Sequence, residues 1–452
     1  MNYSELLQLA KGWGNFVSDR INIWRLLKKC LNECISEIVF HHNEFSLVPK
    51  AFSRTRKWPL DKLIHFILSF GSQSLGTEIL EYFQFQDGFP PVSSFVQQRK
   101  KLSFQAMENL FKLFYNRTES DPVLFKGYRI AAIDGSELSL PYNPNEENVI
   151  GENHHSTLYL NSLYDVCGKI FMDSVIQHGK ERNETDAACI MVDRISEKYP
   201  VIIMADRGYE NYNLFAHIEE RLFDYVIGIR DLGAIRTMAS GFDFPSDGPF
   251  DLMRDVVITR HSTGPCIVNR IKYKYFSKTA RFDYIKDSKS NDYELTIRFV
   301  RFQLENGSYE LIATSLSEDE FSAEELKKLY QLRWNIEVGF REAKYILGME
   351  AFHSKQENSI CQEIYSRIIM YNFSMLITLG TKIPEKERKH QHQINFSRAV
   401  RICIAFFKQT ENGPPIDVEA TIVKFLLPIR SNRSRPRDTV SACVVSFNYR
   451  LA

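Results

Sequence analysis

The sequence lacks the features that would place the protein in a membrane or outside the cell. Residues 1–8 do not have the basic-then-apolar order of a secretory signal. The most apolar run, 368–380, contains Asn372 and is shorter than the roughly 20 residues that cross a bilayer. The eight cysteines are spread along the chain and are not clustered as in a disulfide scaffold. We therefore expect buried free thiols, no membrane partner and a cytoplasmic location.

The chain also has little net charge, because 57 Lys and Arg residues nearly balance 56 Asp and Glu residues. Taken alone, that balance argues against a nucleic-acid partner. The distribution says otherwise: residues 1–120 hold 15 basic and 11 acidic residues, and residues 381–452 hold 13 and 6. Residues 121–380 hold 29 basic and 39 acidic residues. An acidic middle between two basic ends is compatible with DNA and with a cation-binding site.

The 44% hydrophobic and 13% aromatic content excludes a largely disordered chain, and the patterning indicates several units. Apolar residues at helical intervals predict a helical N-terminal domain over 1–120. Three consecutive basic residues, Arg99, Lys100 and Lys101, fall on a predicted helix that begins near Ser93 or Ser94, after two prolines. These basic side chains are either a solvated helix face or a DNA contact.

The middle of the chain predicts an α/β core. Residues 121–232 read as βββαβαβ, which is typical of a mixed sheet whose early strands are antiparallel. Residues 233–316 alternate apolar and polar residues between turn-forming residues, which predicts a β-rich insertion. Residues 317–380 return to helical periodicity, with one long helix from about Ala323 to Leu347, and 381–452 form a basic, partly helical C-terminal region.

Three carboxylates stand out because each lies on a different predicted element. Asp134 ends an apolar strand in I-D-G-S, and Asp206 ends another in M-A-D-R-G-Y. Carboxylates at the carboxyl ends of parallel strands point into the ligand crevice of an open sheet. Glu337 lies inside the long helix. Three converging acids need cations to remain ionised, and carboxylate oxygens suit Mg²⁺.

The long helix carries a second pattern. At 100° per residue, one polar stripe of the helix contains five side chains, namely Tyr330, Arg333, Glu337, Arg341 and Lys344. A metal-binding acid between two guanidinium groups suits a phosphodiester, because guanidinium binds phosphate oxygens in a bidentate manner. The adjoining apolar stripe predicts that the helix packs against the core. A solvated face with i,i+4 ion pairs would not explain why Tyr330 and Glu337 share this spacing.

The spacing Tyr330-x2-Arg333-x3-Glu337-x6-Lys344 resembles the Y-R-E-K signature of DDE transposases from bacterial insertion sequences. Asp134 and Asp206 stand where that family has its first two catalytic acids, and the resemblance extends over roughly residues 50–445. It implies an RNase H-like core that carries the acids. It also implies a β-rich insertion between the last core strand and the glutamate helix.

The resemblance further implies how such a protein works. Asp134, Asp206 and Glu337 would hold two Mg²⁺ ions, for which Mn²⁺ can substitute, and would catalyse DNA nicking and strand transfer. Tyr330, Arg333 and Lys344 would contact DNA phosphates, and position and charge add Arg207 and Arg341 to this set. Double-stranded DNA, a homodimer in the synaptic complex and association with the nucleoid are expected. The sequence leaves open whether a DNA hairpin is an intermediate.

Two other functions compete with this interpretation. A transposase-derived DNA-binding protein without catalysis would keep the basic flanks but would not need Asp134, Asp206 and Glu337 together. A metal-dependent phosphohydrolase of small molecules would also place acids at the ends of strands. It would not need a long track of cationic residues, so both alternatives rank below a transposase.

Overall fold

The computed structural model describes most of the chain at side-chain level. The described residues are 22–53, 57–119, 122–145, 156–196, 198–234, 237–261, 268–286, 291–385, 390–409 and 416–429. Most of the basic C-terminal tail and the arginines at 54 and 56 lie outside these ranges. Among the described residues, no helix is both long enough and apolar enough to cross a membrane.

The N-terminal part is helical, as the apolar periodicity predicts. Its helices are α1 (Ile23–Phe40), α2 (Leu60–Leu68), α3 (Leu75–Tyr82), α4 (Val92–Arg99) and α5 (Gln105–Thr118). One side of α1 is buried through Trp24, Leu27 and Leu31, which recur at helical spacing. These helices pack against the later helix α10 (Glu357–Gly380) through α2 and α5. The helical N-terminal part therefore shares one core with the middle of the chain.

A nine-stranded sheet forms the centre of the protein. Its strands are β1 (Arg129–Leu140), β2 (Ser156–Asp165), β3 (Ile170–His178), β4 (Val201–Ala205), β5 (Asp224–Ile229), β6 (Phe250–Thr259), β7 (Tyr273–Tyr275), β8 (Tyr293–Gln303) and β9 (Tyr309–Thr314). The spatial order is β3-β2-β1-β4-β5-β9-β8-β6-β7. β1, β2 and β3 pair antiparallel, whereas β1, β4 and β5 pair parallel. This mixed order confirms the α/β class and agrees with the expected RNase H-like core.

Helices cover the core sheet and connect its parallel strands. α6 (Glu184–Arg194) links β3 to β4, and α7 (Tyr212–Glu220) links β4 to β5. Asn183 begins α6 by accepting the Asp186 N–H at 3.1 Å, which is a side-chain cap of the kind that helix starts favour. β4 is buried on both faces, as expected for a parallel strand between helix layers.

The segment 233–316 is rich in strands, as predicted, but its strands extend the core sheet. β9 pairs antiparallel with β5, and β8 and β6 follow outward. Thr314 is fully buried and donates its hydroxyl to the Tyr225 carbonyl at 2.6 Å, across the join. The insertion is therefore anchored to the edge of the parallel strands, close to where β4 and β5 end.

The predicted long helix of 323–347 is two helices in the structure. α8 (Ala323–Gln331) and α9 (Trp334–Tyr345) are separated at residues 332 and 333, where backbone hydrogen bonds run from residue i to i−3. Such a tighter turn changes the rotation between the helices. Apolar periodicity continues through it, which explains why the sequence pattern predicts one helix.

The remaining elements complete the C-terminal part. They are α10, β10 (His392–Ile394), α11 (Phe396–Lys408), α12 (Val418–Ile422) and β11 (Leu426–Pro428). α10 is buried along most of its length, including the polar residues Gln362, Glu363 and Arg367. The predicted α/β core, helical flanks and β-rich insertion are thus all present in the described residues.

Candidate active site

Asp134 lies in β1 at the level where the neighbouring strand β4 ends. Ile133 pairs with Ala205, so residue 134 of β1 and residue 206 after β4 are adjacent at one edge of the sheet. Asp134 Oδ1 accepts the Gly135 N–H at 2.8 Å. Burial, with smaller contributions from the charges of Asp206 and Glu337, raises the pKa of Asp134 to about 7, while the Gly135 N–H opposes the rise. Asp206 and Glu337 are therefore both close enough to repel Asp134.

Asp206 begins the short 3₁₀ turn Arg207–Tyr209 directly after β4. Its Oδ1 accepts the Gly208 N–H at 2.7 Å. The side chain is thus a local cap, and it also borders an open cleft. That cleft is lined by Asp206, Arg207, Gly208, Arg230, Asp231, Gly233 and Ala234. One carboxylate serves both as a cap and as a wall of the site.

Glu337 lies on the first turn of α9 and forms an ion pair with Arg333. Arg333 Nη1 is 3.0 Å from Glu337 Oε1, and the guanidinium is largely buried while Glu337 is half-buried. The charge of Arg333 also lowers the pKa of Asp134. Arg333 therefore compensates part of the negative charge of the acidic cluster.

Tyr330 is buried in α8 and packs its hydroxyl against the backbone at Gly228. A methyl group at Gly228 would overlap that hydroxyl and would lie 3.0 Å from the Arg207 N. The side chain thus anchors α8 on β5 beside the 3₁₀ turn that follows Asp206. A lone glycine inside a strand is the sequence signal for such a close approach, and the V-I-G-I pattern of β5 contains it.

Lys344 and Arg341 occupy different environments on α9. Lys344 Nζ donates to the Glu137 carbonyl at 2.7 Å and is 3.0 Å from Glu350 Oε1, so it ties α9 to β1 beyond Asp134. Arg341 and Arg207 are exposed near the acids. The structure thus brings the predicted helix residues to one side of the acidic cluster, with Tyr330 and Arg333 more buried than the exposed arginines.

The cationic cluster after α4 divides into two groups. Lys100 is exposed and Lys101 is half-buried. Arg99, in contrast, is 3% exposed and its Nη1 lies 2.9 Å from Glu363 Oε1 in α10. Its Nε donates to Gln362 Oε1, and its Nη2 donates to the Ser359 carbonyl. The prediction that Arg99 contacts DNA is wrong for this structure, because its guanidinium is already used inside the protein.

Trp334 is 55% exposed, although tryptophan is more often a core residue than a base-stacking surface. It begins α9, and the Arg333 guanidinium lies 4.9 Å from its ring centroid. At 100° per residue, Trp334 lies on the side of the helix away from Leu332, Ile336 and Phe340, which accounts for its exposure.

No three His, Cys, Asp or Glu side chains within the described ranges are grouped as a ready-made metal site. The donor chemistry nevertheless fits a hard cation: oxygen ligands only, with a buried carboxyl whose pKa is raised beside two like charges. Metal ligands must be deprotonated, so binding a cation here would displace a proton from Asp134. Glu337 would in addition have to exchange Arg333 for the cation.

The sheet and the three acids together define the class of protein. A mixed sheet of RNase H-like order carries two aspartates at adjacent strand ends, and a helix brings a glutamate to them. The chain belongs to the family of proteins with a transposase DDE domain, whose model matches residues 125–373. The matched range contains Asp134, Asp206 and Glu337.

Individual relatives resemble shorter stretches. The transposase InsL of insertion sequence element IS186A from Escherichia coli (strain K12) is 36% identical over 66 residues, which is 15% of this chain. The transposase of insertion sequence element IS421 from Escherichia coli matches to the same extent. The matched stretch spans 18% of the length of these relatives.

A solved structure also matches most of the chain at low similarity. The piggyBac transposase, in a cryo-EM synaptic complex with hairpin DNA, aligns with a TM-score of 0.44 and 11% identity. The alignment covers 96% of this chain and 88% of that one. The score is below the level that establishes a shared fold.

Proposed function

We propose that the protein is a DNA transposase of the Y-R-E-K subgroup, which cleaves DNA at the terminal inverted repeats of its element and joins the freed ends to target DNA. The observation that supports the proposal is that Asp206, directly after β4, and Glu337 both act electrostatically on Asp134 inside a transposase DDE domain. The protein would cleave and join DNA in the cytoplasm, at the nucleoid.

Asp134, Asp206 and Glu337 are the residues that would hold divalent cations, expected to be two Mg²⁺ or Mn²⁺ ions. Bound there, the cations would activate the attacking oxygen and stabilise the leaving oxygen of the phosphodiester. The chain itself supplies the ionised carboxylates and the surrounding positive charge. Arg333 forms an ion pair with Glu337. If Glu337 bound a cation instead, the Arg333 guanidinium would become available to bind a DNA phosphate.

The substrate would be double-stranded DNA, held by residues around the acids. Arg207 and Arg341 are exposed and would contact phosphates directly, and Lys100 and Lys101 would extend the track on the helical part. Lys344 would keep α9 against β1 while lying near the backbone of the DNA. Two copies of the chain would pair the two element ends, as a synaptic complex requires.

The test uses the full chain with DNA that carries the element ends, in Mg²⁺ or Mn²⁺. We expect the wild type to nick this DNA. Asp134→Asn, Asp206→Asn and Glu337→Gln should each abolish nicking while retaining binding, since they preserve shape and remove only the charge. Glu181→Gln, a change at an exposed acid, is the matched control and should cleave normally.

DNA binding is measured in parallel at several salt concentrations. The affinity for DNA should fall steeply as salt rises, because phosphate contacts release counterions. A wild type that binds the ends but never nicks them in any metal would instead support the non-catalytic alternative. Retained cleavage in Asp206→Asn would remove that residue from the metal-binding set.

A further inference from the structure

Gly135, which follows Asp134 in β1, borders a small space surrounded by oxygen atoms. At the point where a Cβ would stand on Gly135, Glu184 Oε1 is 2.9 Å away and Asn161 Oδ1 is 3.1 Å away. Neighbouring strand residues face opposite sides of a sheet, so this space lies behind Asp134. A side chain on Gly135 would fill it.

Asn161 directs an unused acceptor into this space. The residue is fully buried, and its Nδ2 donates to Gln177 Oε1 at 3.1 Å. Gln177 Oε1 also accepts the Asn183 N–H, so it is fixed as an acceptor and requires the Asn161 Nδ2 to face it. Asn161 Oδ1 consequently points toward Gly135, where none of the described residues donates to it.

Tyr209 supplies a second polar atom without a partner. The side chain is 1% exposed, and its hydroxyl makes no hydrogen bond to any part of the chain that the structure describes. Burial and then the charges of Asp134, Glu184 and Asp206 raise the pKa of Tyr209 well above its usual value. The phenol therefore stays protonated. Its oxygen retains lone pairs for a cation.

Glu184 brings negative charge to the same place. It is the first residue of α6, where the helix dipole and the exposed backbone N–H groups favour an ionised carboxylate. Arg182 Nη2 donates to Glu184 Oε1 at 2.6 Å, and the Arg182 guanidinium lies 4.2 Å from the ring centroid of Tyr159. Arg182 is 46% exposed, so it sits at the rim and compensates Glu184 from the solvent side.

We propose that Glu184, Asn161 and Tyr209 form an accessory binding position for a hard cation behind Asp134. Carboxylate, amide and phenol oxygens are all hard donors, and such a set selects cations that prefer oxygen. The site rests on the proposed function in one respect, because its neighbour Asp134 is taken to be a ligand of the catalytic cations. A cation there would lie on the side of β1 opposite to the Asp134 side chain.

The test counts the Mn²⁺ ions bound by the full chain, from the electron paramagnetic resonance signal of free Mn²⁺ during titration. We expect Glu184→Gln to bind one equivalent of Mn²⁺ fewer than the wild type. Glu181→Gln makes the same change of charge three residues earlier on an exposed side chain, and should bind as many ions as the wild type. Tyr209→Phe removes only the hydroxyl and should weaken the accessory position by roughly tenfold.

The outcomes separate this site from the catalytic one. If Mn²⁺ binding falls in Asp206→Asn but is unchanged in both Glu184→Gln and Tyr209→Phe, the space holds water only and the accessory site is wrong, while the proposed function stands. If it falls in Glu184→Gln but not in Asp206→Asn, the accessory site stands and the catalytic metal assignment fails. Tyr209→Phe keeps the test decisive should Glu184→Gln fold poorly.

Discussion

Arg333 and Glu337 form an ion pair across the break between α8 and α9, with Nη1 and Oε1 3.0 Å apart. Arg333 Nε is buried without a hydrogen-bond partner in the described residues, so the guanidinium is not fully satisfied by Glu337. Asp134 also lies within electrostatic reach of the Arg333 guanidinium. Arg333 thus offsets the negative charge of both Glu337 and Asp134.

The first prediction concerns stability and pH. The pKa of Asp134 is about 7 in the folded protein, against 3.8 ordinarily, and burial is the main cause. Below pH 4 the carboxyl is protonated in both states, and between pH 4 and 7 only the unfolded state loses the proton. The contribution of Asp134 to the free energy of unfolding therefore becomes more unfavourable as the pH rises to about 7, and it stays constant above that pH. In EDTA, Asp134→Asn should raise the melting temperature at pH 8 and leave it unchanged near pH 4.

The expected gain at pH 8 is on the order of 4 kcal/mol, which shows as a higher melting temperature in a thermal scan. Asp87→Asn changes an exposed carboxylate and serves as the control. In Arg333→Gln, the loss of stability should begin at the same pH but continue to a higher pH than in the wild type, because the Arg333 charge lowers the pKa of Asp134 in the folded protein. Equal melting curves for wild type and Asp134→Asn at pH 8 would contradict the buried, charge-coupled carboxyl.

The sequence predicts that Asp134 and Asp206 lie at neighbouring strands, and the register of Ile133 with Ala205 agrees with this. Asp134 does not end its strand as predicted, because β1 continues to Leu140 and pairs with β2 beyond the end of β4. The i,i+4 ion pair of Arg333 and Glu337 belongs to the alternative interpretation of this helix, although the Arg333 guanidinium is buried and not solvated. These inferences need only periodicity and strand direction.

Features that depend on distant parts of the chain are not predictable in this way. Arg99 belongs to a basic triplet in the sequence, and only the fold places it against Glu363, 264 residues away. Strand patterns predict β8 and β9, but nothing local shows that β9 pairs with β5 and extends the sheet. The division of the predicted long helix into α8 and α9 arises from a few i−3 hydrogen bonds that apolar periodicity does not report.

The second prediction separates a structural arginine from a DNA-binding lysine. Arg99→Met removes one partner of a buried ion pair and should cost about 3 kcal/mol, because Glu363 stays buried and keeps only His353 and the charge of Arg367 as compensation. Lys100→Met, one residue later and exposed, should change stability by less than about 0.5 kcal/mol. Denaturant unfolding followed by tryptophan fluorescence measures both.

The effects on DNA affinity should be reversed, with the larger loss in Lys100→Met and the smaller loss in Arg99→Met. Lys100→Met should weaken binding and reduce its dependence on salt, since one phosphate contact is lost. Arg99→Met should alter affinity only as far as it unfolds the protein, so binding is compared at a temperature where both variants are folded. A stable Arg99→Met protein with lost affinity would restore Arg99 as a DNA contact.

The third prediction concerns the contact that holds α8 on the core sheet. Gly228→Ala would drive a methyl group into the Tyr330 hydroxyl and close to the Arg207 N. Overpacking of this kind costs about 1–3 kcal/mol and should also displace the turn that presents Asp206. Tyr330→Phe removes the hydroxyl, so the double variant should recover part of the lost stability and of the cleavage activity. Gly76→Ala, where a methyl group would make only ordinary contacts of 3.9 Å or longer in α3, should cleave as the wild type does. If the double variant is no more stable than Gly228→Ala, the clash with the Arg207 backbone, and not the clash with Tyr330, causes the loss of stability.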